Sequence, residues 1–455
     1  MPLLKQGKPI VPKIESIENA ELFIEMIKHI IKDTEPARLI KKVVKRKRDI
    51  LTINAYGKIL NYNLSDYSRI IVIGAGKASG CMAIAIEEIL EDRLDYGIVN
   101  VLHGQTFKSS KIEFIHAGHP IPDREGIRGV KEMFKLIGDV NENDLFICLL
   151  SGGASAMMEI PADNISLEDN VKMTKLLLAS GADINEINCV RKHVSAIKGG
   201  LLAARLYPAT VISLILSDVV GNKIDTIASG PTSPDSSTFF DAKDVLIKRN
   251  LWAETPSSIR RRIERGIRGE VVETPKPGDH IFHKVKNIIV GSNEIATEAA
   301  KKYLLSKGFT VHNFSSIIKG EARLMGMHFA KELINTINSK KFAIVGGGET
   351  TVTLGKAYGK GGRNQELALS AALNIQGFHN LSMVSFATDG VDGPTDAAGA
   401  FVDGSTILKA KRAGINAEEY LLKHDSYNFF KEVGGLIMTG ATGTNVNDVV
   451  VGIKL

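Results

Sequence analysis

The segment IIVIGAGKASG at residues 70–80 is the clearest indication of the fold class. Ile70–Ile73 is a short apolar, β-branched run, which is typical of a strand buried on both faces of a sheet. The glycines after it allow a tight turn, and Ala78–Leu90 then has the composition of a helix. A strand, a glycine turn and a helix in this order predict an α/β fold with helices covering a parallel sheet.

The same alternation recurs along the chain and predicts two domains. Further strands are predicted at Tyr96–Leu102, Leu145–Leu150, Val211–Leu216, Val285–Val290, Thr310–Phe314, Phe342–Val345 and Met383–Ala387. Prolines and a basic helix interrupt the alternation between about residues 232 and 282. We therefore predict a doubly wound, Rossmann-like parallel sheet in an N-terminal domain at residues 14–250 and a linker at 251–279. A second α/β domain with a mixed sheet is predicted at 280–455. The first 13 residues of the chain are predicted to form an N-terminal arm.

Composition and charge exclude several classes of protein. The 455 residues are 44% hydrophobic and 24% charged, which is ordinary for a globular protein and excludes a disordered chain or a coiled coil. The net charge of +6 is mild, and its densest basic run, residues 41–48, is interpreted as the solvated face of an N-terminal helix rather than a nucleic-acid surface. No apolar run is long enough to predict a membrane span.

Three cysteines without metal-site spacing indicate a reducing, cytoplasmic setting: Cys81, Cys148 and Cys189. The N-terminal prolines argue against a signal peptide. The sequence leaves a homodimer open, and it predicts neither a nucleic-acid nor a membrane partner.

Two glycine turns in the predicted N-terminal domain follow strands and are candidate anion sites. Gly76 and Lys77 follow the first strand, where a helix N-terminus would offer free N–H groups to an anion. The turn resembles a dinucleotide fingerprint, but its last glycine is one position late and no acid ends the next strand. The second turn, Ser151-Gly152-Gly153-Ala154-Ser155, suits a carboxylate or a phosphate.

Two further candidates lie later in this predicted domain. Residues 185–200 are predicted to form a helix closed by glycines, with Arg191, Ser195 and Lys198 on one face. That face is either a solvated basic surface or one that faces an anion. Asp218 follows the strand Val211–Leu216, where a buried carboxylate is costly unless it binds a metal, a cation or the substrate.

The second domain contains a glycine-rich segment, Gly346-Gly347-Gly348-Glu349-Thr350, which is interpreted as a nucleotide cradle although it lacks the Walker A pattern. Arg363 is expected in the first turn of the next helix, where its charge opposes the helix dipole. A bound anion, or a nearby acid such as Glu366, would offset this conflict. On this reasoning Arg363→Lys leaves stability unchanged or slightly raised.

Two loops near the end of the chain complete the candidate residues. Three aspartates and three glycines between Thr388 and Gly399 follow a buried strand, which is typical of a hard-cation site, and Asp389 is the first of these acids. Asn445 lies in a glycine–threonine loop before a last strand, Val449–Ile453. We expect that strand to insert back into an existing sheet and so to bring Asn445 near the other loops.

Taken together, these motifs resemble the class II glycerate kinases. The matching segments are GAGKAS, LLSGGASA, NxVRKHVSAIKGG, SDVVG…ASGPTSPD, GGGETTVT, GKGGRNQE, ATDGVDGPTDAAGA and TGTNVND. These are the glycerate 2-kinases with a MOFRL C-terminal region, and the resemblance covers roughly residues 17–455. It implies ATP- and Mg²⁺-dependent transfer to D-glycerate, giving 2-phosphoglycerate, in a cleft between two domains. Carried over by motif, the resemblance implies five functional positions: Lys77, Asp218, Arg363, Asp389 and Asn445.

Phosphoryl transfer requires fixed cations, backbone cradles and a carboxylate-held Mg²⁺. We expect Lys77 and Arg363 to share the transferring phosphoryl group. We expect one of Asp218 and Asp389 to hold Mg²⁺ and the other to orient the attacking hydroxyl. The expected substrate-binding residues are Gly76, Ser151, Gly152, Gly153, Ser155 and Lys198. Two alternatives are an NAD(P)H-dependent hydroxypyruvate reductase, a label that family members have sometimes carried, and a non-catalytic sugar-phosphate-binding module.

Overall fold

The computed structural model describes residues 20–455 except 56, 337–340 and 356, together with the backbone of three short N-terminal strands. The strands are β1 Leu4–Lys5, β2 Lys8–Pro9, β3 Lys13–Ile14, β4 Val44–Lys47, β5 Ile50–Ala55, β6 Lys58–Asn63, β7 Arg69–Ala75, β8 Tyr96–Leu102, β9 Ile112–Ala117, β10 Asp144–Leu150, β11 Thr210–Leu216, β12 Val285–Gly291, β13 Thr310–Asn313, β14 Ile318–Glu321, β15 Phe342–Thr351, β16 Leu381–Ala387, β17 Gly399–Asp403, β18 Leu436–Met438 and β19 Asp448–Lys454. The helices are α1 Ala20–Asp33, α2 Pro36–Val43, α3 Ser79–Leu90, α4 Arg124–Ile137, α5 Ala154–Met157, α6 Leu167–Ala179, α7 Ile184–His193, α8 Leu201–Leu206, α9 Phe239–Lys248, α10 Ser257–Ile267, α11 Asn293–Ser306, α12 Ala322–Asn335, α13 Arg363–Asn374, α14 Thr406–Arg412, α15 Ala417–Leu422 and α16 Ser426–Val433. The predicted arm at residues 1–13 lies largely outside the described residues.

The chain forms two compact units, one of residues 36–290 and one of residues 1–35 with 291–455. We call them the central unit and the terminal unit. This division differs from the predicted one, because residues 251–279 are not a linker. Helix α10 buries Ile259 and Ile263 completely in an apolar cluster of the central unit, and β12 joins that unit's sheet. Residues 14–35 belong to the terminal unit, where the Phe23 ring packs edge-on against Phe401.

The central unit is built on a six-stranded sheet in the order β12-β11-β10-β7-β8-β9. The pairs β11–β10, β10–β7, β7–β8 and β8–β9 are parallel. The chain runs outward from β7 to β9, returns to place β10 beside β7, and runs outward again. This is the doubly wound order, with its switch point between β7 and β10, so the predicted fold class is confirmed. All seven residues of β10 are buried, as an apolar central strand requires.

A small antiparallel sheet, β4-β5-β6, precedes this core and is absent from the prediction. It corrects the interpretation of the basic run at residues 41–48. Helix α2 ends at Val43 and the run continues as β4, so only its first part is helical. Its charges are also partly neutralised, since Lys41 pairs with Glu88 and Arg46 Nη1 lies 2.8 Å from Asp92 Oδ1.

The terminal unit contains a mixed sheet in the order β13-β15-β19-β16-β17-β18-β3, with β14 also paired to β15. The last strand, β19, lies between β15 and β16 and is antiparallel to both. The expected return of the last strand into an existing sheet is therefore confirmed, within this unit. Every residue of β19 from Asp448 to Ile453 is buried, because the strand is central and covered on both faces. In the described residues, helices are too short or too polar to span a membrane.

Candidate functional site

The two predicted glycine turns of the central unit meet at the switch point of its sheet. Ser151 N donates to Ala75 O at 3.3 Å, and Lys77 N donates to Gly152 O at 2.9 Å. The Ser151 hydroxyl accepts from Ala78 N at 3.0 Å, just before α3. The turns after β7 and β10 are thus tied together, and ligands of doubly wound sheets bind at this position.

Close backbone approach explains why Gly76 is a glycine. Its φ is +132°, and a Cβ built there would lie 2.2 Å from Ser151 Oγ. The Lys77 and His119 side chains both lie against Gly153, because a Cβ built there would be 3.4 Å from Lys77 Cγ and 3.0 Å from His119 Cδ2. The predicted residues of the two turns are therefore together. His119 was missed because the strand before it, β9, was not among the predicted strands.

Ser155, predicted to bind substrate, lies on the short helix α5 that follows the second turn. Its hydroxyl is 3.0 Å from Ser229 Oγ, and Ser229 donates to Asn188 Oδ1 at 2.8 Å. Ala228 and Ser229 have φ values of +54° and +59°, in the left-handed region that non-glycine residues rarely adopt. Such backbone is strained and is common at functional sites.

Lys198 does not have the environment predicted for a substrate-binding residue. Helix α7 ends at His193, so the predicted helical face of residues 185–200 does not form. The Lys198 side chain is fully buried and pairs with Glu159, whose other oxygen accepts a 2.9 Å hydrogen bond from Ser195. Burial lowers the pKa of Lys198, and its ammonium is held by an internal carboxylate.

Asp218 is half-buried and lies two residues after β11, the strand next to β10. It therefore lies at the same carboxyl edge of the sheet as the glycine turns, as predicted.

In the terminal unit, Arg363 begins α13 and its guanidinium is held by two acids. Its Nε donates to Asp448 Oδ2 at 2.6 Å and its Nη2 to Asp448 Oδ1 at 2.9 Å. Its Nη1 donates to Glu349 Oε1 at 2.7 Å. Asp448 begins β19, opposite Gly348 of β15 and Ala387 at the end of β16, which explains how residues far apart in the chain meet.

These carboxylates resolve the conflict between Arg363 and the helix dipole. Burial alone would lower the pKa of Arg363, but Asp448 and Glu349 raise it. Asp392 adds a negative charge at the helix start, where its oxygens accept from Asn364 N at 3.0 Å and Gln365 N at 2.9 Å. Burial raises the pKa of Asp392 to about 6. An acid therefore offsets the dipole, as one alternative expected.

The acid suggested for that role, Glu366, has another partner. Its carboxylate lies 2.9 Å from His424 Nδ1. The partners Asp448 and Asp392 could not be found from sequence spacing, because they are brought to Arg363 by the insertion of β19 and by the loop after β16.

The predicted nucleotide cradle at residues 346–350 is not a loop. Strand β15 continues through Thr351, so the backbone of Gly346–Gly348 pairs with β19 in the sheet. A Cβ built at Gly347 would lie 1.8 Å from Asn293 Oδ1, so glycine here lets the start of α11 approach the strand. The glycine triplet serves packing rather than a phosphate loop, while Thr350 is buried and Glu349 is exposed beside Arg363.

Asp389 and Asn445 lie in loops that are joined through Thr388. Thr388 Oγ1 accepts from Val446 N at 2.9 Å, and Asp389 O accepts from Thr442 N at 3.1 Å. Both candidate side chains are half-buried, and the Asp389 carboxylate acts on the pKa of Asp448. The last strand thus brings Asn445 near the aspartate loop, as expected.

The donor chemistry at this edge fits a hard cation. Asp448, Glu349 and Asp392 are the carboxylates that act on Arg363, and Asp389 acts in turn on Asp448. Mg²⁺ commonly uses one or two carboxylates and completes its shell with water and phosphate oxygens. A tighter group of three ligand atoms, within 4.8 Å of one another, is found among the described residues at His103, Asp123 and Glu125, and it includes neither Asp218 nor Asp389.

Comparison with known proteins identifies the family of this chain. Residues 22–264 match a family described as a domain of unknown function (DUF4147), and residues 342–448 match the MOFRL family. A glycerate 2-kinase of Pyrococcus horikoshii is 43% identical over 439 residues, covering 95% of this chain and 97% of the relative. A protein of Agrobacterium vitis, provisionally named a hydroxypyruvate reductase, is 37% identical, covering 90% and 93%. The crystal structure of a glycerate kinase from Thermotoga maritima is 39% identical with a TM-score of 0.81, covering 96% and 99%. The chain belongs to the MOFRL family of glycerate 2-kinases.

Proposed function

We propose that this protein transfers the γ-phosphoryl group of ATP to the 2-hydroxyl of D-glycerate, giving 2-phosphoglycerate and ADP. The observation that carries the proposal is the pair of joined glycine turns with Lys77 at the switch point. It is supported by family membership and by relatives whose names assign glycerate kinase activity. The experiment that tests it is a coupled ADP-release assay on a panel of small hydroxy acids, followed by identification of the phosphoglycerate isomer.

The switch-point turns are suited to bind and orient an anion. Their backbone is rigid, because each turn is hydrogen-bonded to the other through Lys77 and Ser151. Preorganised donors of this kind stabilise charge without reorganising during the reaction. We assign the Lys77 ammonium to the transferring phosphoryl group, because a fixed cation there neutralises charge that develops during transfer.

Asp389 is the better candidate of the two aspartates to hold Mg²⁺. It lies close enough to the buried Asp448 carboxylate to act on its pKa, within a region rich in acids that favours a cation. When bound, Mg²⁺ would neutralise phosphate oxygens and orient the triphosphate. Asp218 is then left to orient the glycerate hydroxyl and accept its proton while the new P–O bond forms.

Arg363 has fewer N–H groups available for a ligand than an arginine without protein partners. Three of its N–H groups are directed at Asp448 and Glu349. We propose that it acts as a charge held within the acidic edge, near the bound nucleotide. We place Asn445 at the same acidic edge, because the backbone of the neighbouring Val446 is hydrogen-bonded to Thr388.

The same assay distinguishes the proposed kinase from two other functions. A hydroxypyruvate reductase, the activity in the provisional name of the Agrobacterium relative, would oxidise NADH with hydroxypyruvate and release no ADP. In the central unit, β8 is followed by His103 rather than by the acid that a ribose of NAD requires. A binding module would bind D-glycerate without turnover of ATP.

A further inference from the structure

Three consecutive basic residues at the end of α7 have different environments. Lys192 Nζ lies 3.2 Å from Asp235 Oδ1, and His193 Nε2 lies 2.9 Å from Glu273 Oε1. Arg191 is half-buried, and no hydrogen bond or ion pair joins its guanidinium to another residue in the described part of the chain. An arginine that is largely withdrawn from water without a partner is energetically unfavourable.

The charges around Arg191 do not balance. Glu159 is the carboxylate that acts on Arg191, and the same carboxylate pairs directly with the buried Lys198. The second Glu159 oxygen already accepts from Ser195. Burial lowers the pKa of both Arg191 and Lys198, so two desolvated cations share one anion. One positive charge is left over, which an anionic ligand would neutralise.

This charge lies beside the switch-point turns of the same unit. Glu159 follows α5, the helix that carries Ser155 directly after the second turn. Asn188 lies one helical turn before Arg191 and on the same face of α7. It accepts from Ser229, whose left-handed backbone holds its hydroxyl 3.0 Å from Ser155. Arg191 is thus linked to the proposed substrate turn in two ways, through Asn188 on the same face of α7 and through its electrostatic interaction with Glu159.

We infer that Arg191 binds the carboxylate of the hydroxy-acid substrate. The inference rests on the proposed function and names the group that selects its substrate. A guanidinium presents two parallel N–H groups that match a carboxylate, which an ammonium cannot do. The subsite would select small acids and reject the corresponding neutral polyols, such as glycerol. Inorganic phosphate shares the anionic chemistry and is used to distinguish the two ligands.

The test compares Arg191→Gln with Lys192→Gln, the neighbouring cation that has an internal partner. Thermal unfolding is measured without nucleotide, alone and with D-glycerate, glycerol or phosphate, and KM values are measured for D-glycerate and ATP. Arg191→Gln is expected to unfold at the same or a higher temperature than the unsubstituted protein, because an unbalanced charge is removed. It should lose the stabilisation by D-glycerate and raise the KM for D-glycerate about 10–100-fold, with the KM for ATP unchanged.

The control should behave in the opposite way. Lys192→Gln leaves Asp235 without its cation, so it should unfold at a lower temperature while the KM for D-glycerate stays unchanged. Arg191→Lys, which keeps the charge and loses the fork, should have a raised KM and normal stability. This variant keeps the comparison valid if Lys192→Gln does not fold.

Three results would overturn the inference. The first is an Arg191→Gln protein with an unchanged KM for D-glycerate, which would leave the proposed kinase standing without this subsite. The second is a lower unfolding temperature with normal D-glycerate binding, which would make Arg191 structural. The third is stabilisation by phosphate but not by D-glycerate, lost in Arg191→Gln, which would make the subsite a phosphate site. D-glycerate binding that needs Arg191 but is accompanied by no ADP release would support the subsite and reject the kinase.

Discussion

Replacing Arg363 tests whether the acidic edge of the terminal unit depends on one guanidinium. In Arg363→Met the buried Asp448, whose side chain is 2% exposed, loses both of its charge-assisted hydrogen bonds. Removing one partner of a buried ion pair costs about 3–5 kcal/mol. The Arg363 side chain is 32% exposed, so water screens part of the interaction and we expect about 3 kcal/mol.

This free energy predicts a measurable change in melting. A unit of 150–250 residues loses about 2–4 °C in Tm per kcal/mol, so Arg363→Met should lower the Tm of the terminal unit by about 6–12 °C. Arg363→Lys keeps the charge but loses one arm of the fork, and should cost about 1–1.5 kcal/mol. This reverses the expectation from sequence, in which the dipole conflict made Arg363→Lys neutral or stabilising.

The assay is differential scanning calorimetry at neutral pH, with Glu349→Gln as the control. The Glu349 side chain is 43% exposed, so its loss should cost less than about 1 kcal/mol. The reasoning would be refuted if Arg363→Met melted within about 2 °C of the unsubstituted protein, or if Glu349→Gln were as destabilising as Arg363→Met. The first result would mean that Asp448 is held neutral by its burial and does not need the arginine. The second would mean that the exposed Glu349 pair, and not burial of Asp448, sets the cost.

Four further predictions concern single substitutions. Lys77→Ala should lower kcat by about 100-fold or more with an unchanged Tm, since it removes a fixed charge from a turn whose backbone is held by other bonds; activity within a few-fold of normal would exclude it from the site. Activity should require a divalent cation, and Asp389→Asn should raise the Mg²⁺ concentration at half-maximal rate; full turnover in EDTA would contradict this. Gly76→Ala should destabilise the central unit and abolish activity, because its Cβ would meet Ser151 Oγ at 2.2 Å; a normal melting curve would show that the turns can separate. Asp392 has a folded pKa raised by burial to about 6, above the usual 3.8, so the folded protein binds more protons than the unfolded chain between these values. Its contribution to stability therefore falls as pH rises from about 4 to 6. Asp392→Asn should flatten the dependence of Tm on pH across that window. A dependence parallel to that of the unsubstituted protein would show that the pKa of Asp392 is not raised.

Local features of the fold could be predicted from the sequence because they depend on neighbouring residues. Strand β8 was predicted with its observed bounds, since an apolar β-branched run between turns specifies a buried strand. The turns at Gly76 and Ser151–Gly153 were predicted for the same reason, and the doubly wound order then places them at one edge. The small sheet β4–β6 was missed although β5 alternates the buried Leu51 and Ile53 with more exposed residues, because the basic run before it was interpreted as part of a helix.

The residues of the candidate site were harder to predict where partners are distant in the chain. The glycines of β15 have the composition of a loop, yet the strand continues through them because α11 packs closely against Gly347. The motif suggests that Lys198 binds a ligand, but its partner is Glu159, which belongs to an earlier segment of the chain whose backbone pairs with residues 195 and 196. Such pairings depend on packing that no local pattern encodes.

The amino-acid sequence by itself determined the α/β class, the glycine turns at strand ends, and, through its motifs, the family. Those properties follow from backbone propensity, hydrophobic periodicity and residues in short segments. Only the tertiary structure decided that residues 251–279 belong to the central unit, that β19 lies between β15 and β16, and that Asp448 holds Arg363. It also decided that Lys198 pairs directly with Glu159, while Arg191 forms no ion pair with any residue that the structure describes. The physical reason is that the balance of buried charge is a property of the packed core, where each cation's stability depends on which carboxylates the fold brings within reach.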